Sequence, residues 1–194
     1  MHPSSHFGWT DEAAMLDFLA RQSIATIFVP GPFVVHAPIM VAGTNRLLFH
    51  VAKRNRAAPH LDGARALLSC LGPNAYVSPD HYGTPDQVPT WNYLSVEAEG
   101  PLRRLDEPEL VGLLDDLSQK EEERLAPKPL WSRAKMTPGR FEAMLGAIDG
   151  FVLTIEALRG NRKLGQNKSE TERLAVAAAI EPASSDLAEA MRGA

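Results

Sequence analysis

Three short stretches gather the side chains able to do chemistry. The first, His50-Val51-Ala52-Lys53-Arg54-Asn55-Arg56, puts three cations in four residues where an apolar run gives way to a loop. Asn55 can cap a helical turn over residues 57–61. Cations gathered at a helix start, with its free backbone N–H groups, suit an anion such as a phosphate. A solvated basic loop is the plainer outcome of the same residues. The second stretch is Arg162-Lys163-Leu164-Gly165-Gln166-Asn167-Lys168-Ser169. Ser169-Glu170-Thr171-Glu172 matches a capping box, so Lys163 and Lys168 flank the positive end of a helix dipole, a place that repels cations unless an anion sits there. Gln166 and Asn167 each carry donors and an acceptor, as needed to read the carbonyl and N–H edge of a heterocycle. The third stretch gathers aromatics and prolines from Tyr76 to Tyr93 and ends in Val88-Pro89-Thr90-Trp91-Asn92-Tyr93. Such residues stack on a planar ligand, fill a subunit seam or pack on their own core.

Other chemistries find little support. There is no GxGxxG, P-loop, GxSxG or HExxH. His36, His50, His60 and His81 lack the paired spacing of a metal site, and each reads more simply as a structural histidine. Cys70 lies inside an apolar run with nothing beside it to lower its pKa. A lone cysteine makes no intramolecular disulfide, which suits a reducing cytoplasm. The net charge of −4 lacks the basic surplus of a protein that coats nucleic acid, so any DNA contact would be local. No helix-turn-helix pattern is visible. Residues 24–43 are largely apolar, but Pro30, Gly31, Pro32 and Pro38 interrupt them. They read as a hairpin and not a membrane span. The N-terminus shows no basic start followed by an apolar core, so no secretory signal is expected.

These residues need elements to position them. Thr10 is placed to cap a short helix whose apolar face is Met15, Phe18 and Leu19. Closely spaced β signals follow at 24–29, 33–41, 46–51, 64–71, 75–78 and 93–105, with turns at 30–32, 43–45 and 72–74. Pro108 opens a helix with a Leu110, Leu113, Leu114, Leu117 stripe. Thr137 and Pro138 open a second, with Phe141, Met144, Leu145 and Ile148 on one face and Gly150 as its stop. A strand over 151–158 leads to a helix from Ser169 through Ile180, and residues 183–194 read as a frayed tail. Short connections demand an antiparallel sheet, and one this long tends to close into a barrel. The fold class is therefore α+β, mainly β, one domain over 1–182 with a helical insertion at about 107–148.

Four segments carry a family resemblance: HVAKRN at 50–55, AYVSP at 75–79, VPTWNY at 88–93 and KLGQNKS at 163–169. In that order they resemble the PaiB-type FMN-binding negative transcriptional regulators. The chain departs from that pattern at Arg56, where proline is usual, and at Gly165, where serine is frequent. The resemblance implies an antiparallel split β-barrel like that of the pyridoxamine-phosphate oxidases, a homodimer, and FMN at the subunit interface. It further implies that His50, Lys53, Arg54 and Asn55 hold the phosphate. Trp91, Asn92, Tyr93, Gln166 and Asn167 would line the flavin ring or the subunit seam. His36 is a weaker candidate for the ring edge, and Lys163 joins the set as a cation beside the second turn. Two functions follow as expectations: an FMN-binding regulator of transcription, or a flavin-dependent oxidoreductase of the same superfamily. Handling of haem is a distant third.

Overall fold

The computed structural model describes residues 4–194. After β1 (Gly8–Trp9) comes α1 (Glu12–Arg21). Asp11, not Thr10, caps it: the Ala14 amide donates to Asp11 Oδ1 at 3.0 Å. A carboxylate three residues ahead of a free amide is the better-placed acceptor. The hairpins expected next are β2 (Ile24–Val29), β3 (Phe33–Ala42) and β4 (Arg46–Ala52). Their burial alternates, with Ala25, Ile27 and Val29, then Val35, Ala37 and Ile39, then Leu47, Phe49 and Val51 buried. That is the period-two signature of a sheet with one face in a core.

β5 runs unbroken from Arg65 to Val77, where the sequence suggests a turn at 72–74. β2 pairs with β5 only through Leu67–Ser69. Beyond that point Pro73 can sit without costing a bond to β2, the edge position where a strand tolerates proline. β6 (Thr90–Arg104) is followed by α2 (Glu107–Glu123), which Asp106 and Glu109 cap reciprocally. The second insertion helix, α3, is only Arg140–Leu145. Ile148 and Gly150, read as its end, instead open β7 (Ile148–Thr154). The late strand is in fact two, since β8 (Ala157–Lys163) follows at once. Last come α4 (Glu170–Ile180) and α5 (Ser185–Arg192). The frayed tail is thus a helix, because Leu187, Ala188 and Met191 share one face and are buried.

The eight strands run in the order β1-β8-β6-β5-β2-β3-β4-β7, and β7 pairs again with β6. The second pairing, Leu102↔Leu153 to Arg104↔Phe151, closes six of the strands into a ring. The fold class is therefore the expected one: α+β, with an antiparallel barrel. Gly100 permits the closure, since a Cβ there would collide with the Thr154 carbonyl.

By contacts the chain forms two compact units. One is Leu16–Cys70 with Glu97–Leu158; the other is the residues up to Met15, Leu71–Val96 and Arg159–Ala194. Sequence alone gives no sign of this division, because each boundary falls inside a continuous element: α1, β5, β6 or β8. In the first unit, Phe49 and Phe151 stack at 5.7 Å among the fully buried residues. Outside that core, Leu110, Leu113 and Leu117 of α2 pack with Leu105, Leu145 and Val152. In the second unit α5 packs on α4, burying Val176, Ile180, Leu187 and Met191.

Candidate functional site

In the second unit, strand periodicity divides the VPTWNY motif. Asn92 is buried and Thr90 half-buried, while Trp91 between them is 51% exposed. Trp91 Nε1 donates to Asn74 Oδ1 at 3.1 Å and its ring meets Tyr76 edge-on. Tyr93 shares the Trp91 side of the strand by the same alternation. Asn92 points instead toward α5, where its Nδ2 donates to the Met191 sulfur at 3.5 Å, a weak acceptor.

The KLGQNKS turn follows β8. Gly165 holds it with φ +84°, a left-handed conformation that glycine adopts freely and a serine would strain. Gln166 closes the turn: its Nε2 donates to Arg162 O at 2.6 Å and its Oε1 accepts from Leu164 N at 2.9 Å. Its amide is therefore committed to its own backbone. Lys163 Nζ donates to Thr90 Oγ1 at 2.5 Å and lies 5.8 Å from the Phe7 ring centre. Burial alone pushes its ammonium below the usual lysine range. Lys168 Nζ donates to Gln87 Oε1 at 2.6 Å and sits 5.1 Å from the Tyr82 ring centre.

The capping box expected at Ser169 is present, with Glu172 as its second member. Glu172 also accepts from Thr84 Oγ1 at 2.7 Å and from Gln87 Nε2 at 3.0 Å. The bond from the Thr84 hydroxyl first, and then those from the Ser169 hydroxyl and amide, hold its carboxyl below the usual range. Burial, and then the Glu172 charge, raise the Tyr82 phenol.

A cavity of about 340 Å³ results, lined by Tyr82, Thr90, Asn92, Lys163, Asn167 and Lys168 among others. Four of the residues singled out from sequence, Asn92, Lys163, Asn167 and Lys168, thus come together. Trp91 and Gln166 do not line it. Thr90 had a usable signal, two residues before Asn92 on the same strand face. Phe7 and Tyr82 had none beyond being aromatic.

The basic stretch lies in the first unit, and its side chains diverge. Lys53 Nζ is 3.9 Å from Asp149, whose closer partner is Arg104 at 2.7 Å. Arg54 is exposed. Asn55 is not the cap foreseen: Ala57 is the N-cap of the following turn and has no side-chain cap bond. Asn55 Oδ1 accepts the Ala57 amide at 2.9 Å in a local Asx turn before it. Arg56 donates to the Pro32 carbonyl at 2.7 Å and lies over Phe33. The turn after it, Ala58–His60, is a single 3₁₀ turn. His50 is turned another way, toward α2 and α3, and burial lowers its imidazole below the usual range. His36 is exposed on β3, its Nδ1 3.2 Å from Thr26 Oγ1. Cys70 is buried as expected, its thiol pushed up to about 12 by burial. Among the described residues no group of histidine, cysteine or carboxylate side chains could hold a metal.

Comparisons with known proteins bear on the family and the fold. A family model described as "Putative FMN-binding domain" matches residues 1–157. The chain is 28% identical over 186 residues to protease synthase and sporulation protein PAI 2 of Bacillus subtilis (strain 168), covering 91% of this chain and 87% of that protein. Its structure is similar to that of the FAD and heme binding protein from Mycobacterium smegmatis, with a TM-score of 0.60, 18% identity, and coverage of 81% of this chain and 74% of that one. The flavocytochrome Anf3 from Azotobacter vinelandii gives 0.59, 17%, 85% and 73% respectively. At such identities these two likenesses establish a shared fold.

Proposed function

This chain belongs to the FMN-binding domain family matched over residues 1–157, and from that premise we propose that it binds FMN, in part through the Lys163 cavity, as a PaiB-like regulator. The observation that supports the placement is convergence: the 88–93 and 163–169 motifs, far apart in sequence, line one cavity. The donor set fits such a ligand. Lys163 is partly desolvated with only a hydroxyl as its hydrogen-bond partner, and Asn92 donates to a thioether. Both would gain from a ring carbonyl or an anionic edge.

When bound, FMN supplies the redox chemistry, and the protein supplies binding, orientation and nearby charge. Asn92 and Asn167 would orient the ring edge and Lys163 place a cation against it. Lys53 and Arg54, both exposed, are proposed for the phosphate of about −2, with Asn55 shaping their loop. At about 340 Å³ the cavity lies at the small end of ligand sites. It holds part of the cofactor, and a second copy of the chain would enclose the rest at a homodimer seam, where Trp91 and Tyr93 are placed.

Among the described residues no helix is long and apolar enough to cross a membrane. With its buried free thiol, the protein is assigned to the cytoplasm. Control of transcription is part of the same reading, with any DNA contact confined to a local patch.

The test is direct. Purified protein should be yellow or take up FMN in a 1:1 ratio per chain, with the released flavin identified by mass, and should elute as a dimer. Protein that neither carries nor takes up FMN would end the reading. A shift of promoter DNA that FMN does not alter would separate the regulatory claim from the cofactor.

A further inference from the structure

A second cavity, of about 380 Å³, lies entirely within the first unit, and none of Lys53, Arg54, Asn92, Lys163 and Asn167 lines it. Its floor is His50, facing outward from β4 two residues after Leu48, which packs against the leucine cluster of α2. Its walls are Leu114 of α2, Phe141 and Leu145 of α3, Trp131 from the connecting segment and Ile148 of β7. His50 is half-buried and supplies the imidazole of an otherwise largely apolar lining. A mostly apolar cavity with a few convergent polar groups is the usual make-up of a small-molecule site. Trp131 and Met144 remain 39% and 53% exposed at the same place. Large apolar side chains left uncovered around a concavity mark a surface that something else covers.

We infer that this cavity is a ligand site for a small, uncharged aromatic molecule bearing one hydroxyl, which bonds His50 while its ring packs on Trp131 and Phe141. Each part of that description follows from the lining. A volume near 380 Å³ is at the low end of small-molecule sites. The neighbouring cation, Arg133, is already held by Asp115 at 3.2 Å and lies over Phe141. An anion would therefore find no free partner, which excludes the FMN phosphate. A hydroxyl both donates and accepts, so it can pair with the His50 imidazole in either neutral tautomer. Ring faces offer the rest.

The experiment uses the full chain saturated with FMN and, in parallel, without it. 2-Naphthol, 2-methoxynaphthalene and 2-naphthoate are titrated by calorimetry. 2-Naphthol should bind once per chain in both preparations, with the two analogues roughly tenfold weaker or more, the value of one hydrogen bond to a buried group. His50→Leu should abolish the preference for the hydroxyl. Leu114→Trp should fill the cavity and abolish binding while leaving FMN uptake unchanged. Should that variant fold poorly, Met144→Trp at the rim asks the same question. Absence of saturable 2-naphthol binding, or binding unaffected in a folded cavity-filling variant, would overturn the inference. So would displacement of 2-naphthol by FMN. Because the preparation without FMN is tested separately, failure of the FMN reading leaves this result interpretable.

Discussion

The two cation-bearing turns, 53–56 and 163–168, look alike in sequence and behave differently in the fold. In the first, consecutive cations fan out: Lys53 toward Asp149, Arg54 to solvent, Arg56 onto the Pro32 carbonyl. In the second, two lysines five residues apart line one cavity, and their hydrogen-bond partners are the neutral oxygens of Thr90 and Gln87. Adjacent side chains in a loop radiate from it. Convergence needs the backbone to curl back, which here is the work of Gly165 and the Gln166 bonds. Lys163, on a neutral oxygen, keeps its charge for an incoming anion, whereas Lys168 shares its field with Glu172 and Lys53 lies beside Asp149.

The largest expected effect follows from that contrast. Lys163→Met should weaken FMN binding by about 10- to 100-fold, the worth of a hydrogen bond involving a charged group. Arg56→Met, which removes a cation of equal charge from the other turn, should change it less than about twofold, since exposed charges contribute little. Fluorescence titration of the flavin measures both. Equal losses in the two variants would dissolve the distinction between the turns. Next in size is Gly165→Ala. At φ +84° a Cβ costs about 1–2 kcal/mol, which for a chain of this length lowers Tm by about 2–4 °C per kcal/mol. The same change should weaken FMN binding, because Lys163 and Lys168 stand on either side of it.

How far this was legible varies with the kind of signal. Alternating burial in β2, β3 and β4 could be read directly, because period two is local. So could the Ser169–Glu172 box and the buried Cys70. The straight run of β5 through Pro73 could not, since the proline is tolerated only because β2 stops pairing at Ser69. Gly150 reads as a helix stop, yet it is a strand residue crowded by Leu105 and Leu110, where a Cβ would come within 2.9 Å. In the site, the residue types at 163–168 pointed to the cavity, but the orientation of each did not show. Gln166 carries the groups to read a heterocycle and uses them on its own turn. The apolar cavity over His50 left no motif at all, because apolar residues from α2, α3 and β7 meet only in three dimensions.

A smaller effect tests the other side of the comparison. Asn55 shapes its loop through the Ala57 amide, so Asn55→Ala should cost about 1 kcal/mol of stability. If Lys53 and Arg54 hold the phosphate, loosening their loop should also weaken FMN binding several-fold. Urea unfolding reads the first quantity and flavin titration the second. A loss of stability with FMN affinity intact would remove the basic turn from the cofactor site and leave the Lys163 cavity standing alone.

The smallest effect is on pH. Glu172 braces the second turn, and its folded carboxyl is held below the ordinary 4.5 chiefly by the Thr84 hydroxyl and then by Ser169. A lowered folded value means that the stabilisation is fully present above the unfolded value and is lost as pH falls through the folded one. Glu172→Gln should therefore lower the urea midpoint at pH 7, and the gap to the parent protein should close as pH drops below 4.5. Glu109, held down to about 2 by Arg103 and the Asp106 amide, titrates in the same direction toward lower pH and is common to both proteins, so it cancels in the difference. Gln87 hangs from the same brace and carries Lys168. FMN binding should weaken across the same acid window in the parent and less so in the variant. A gap in stability that stays constant down to pH 3 would mean that Glu172 acts through packing and not through its charge.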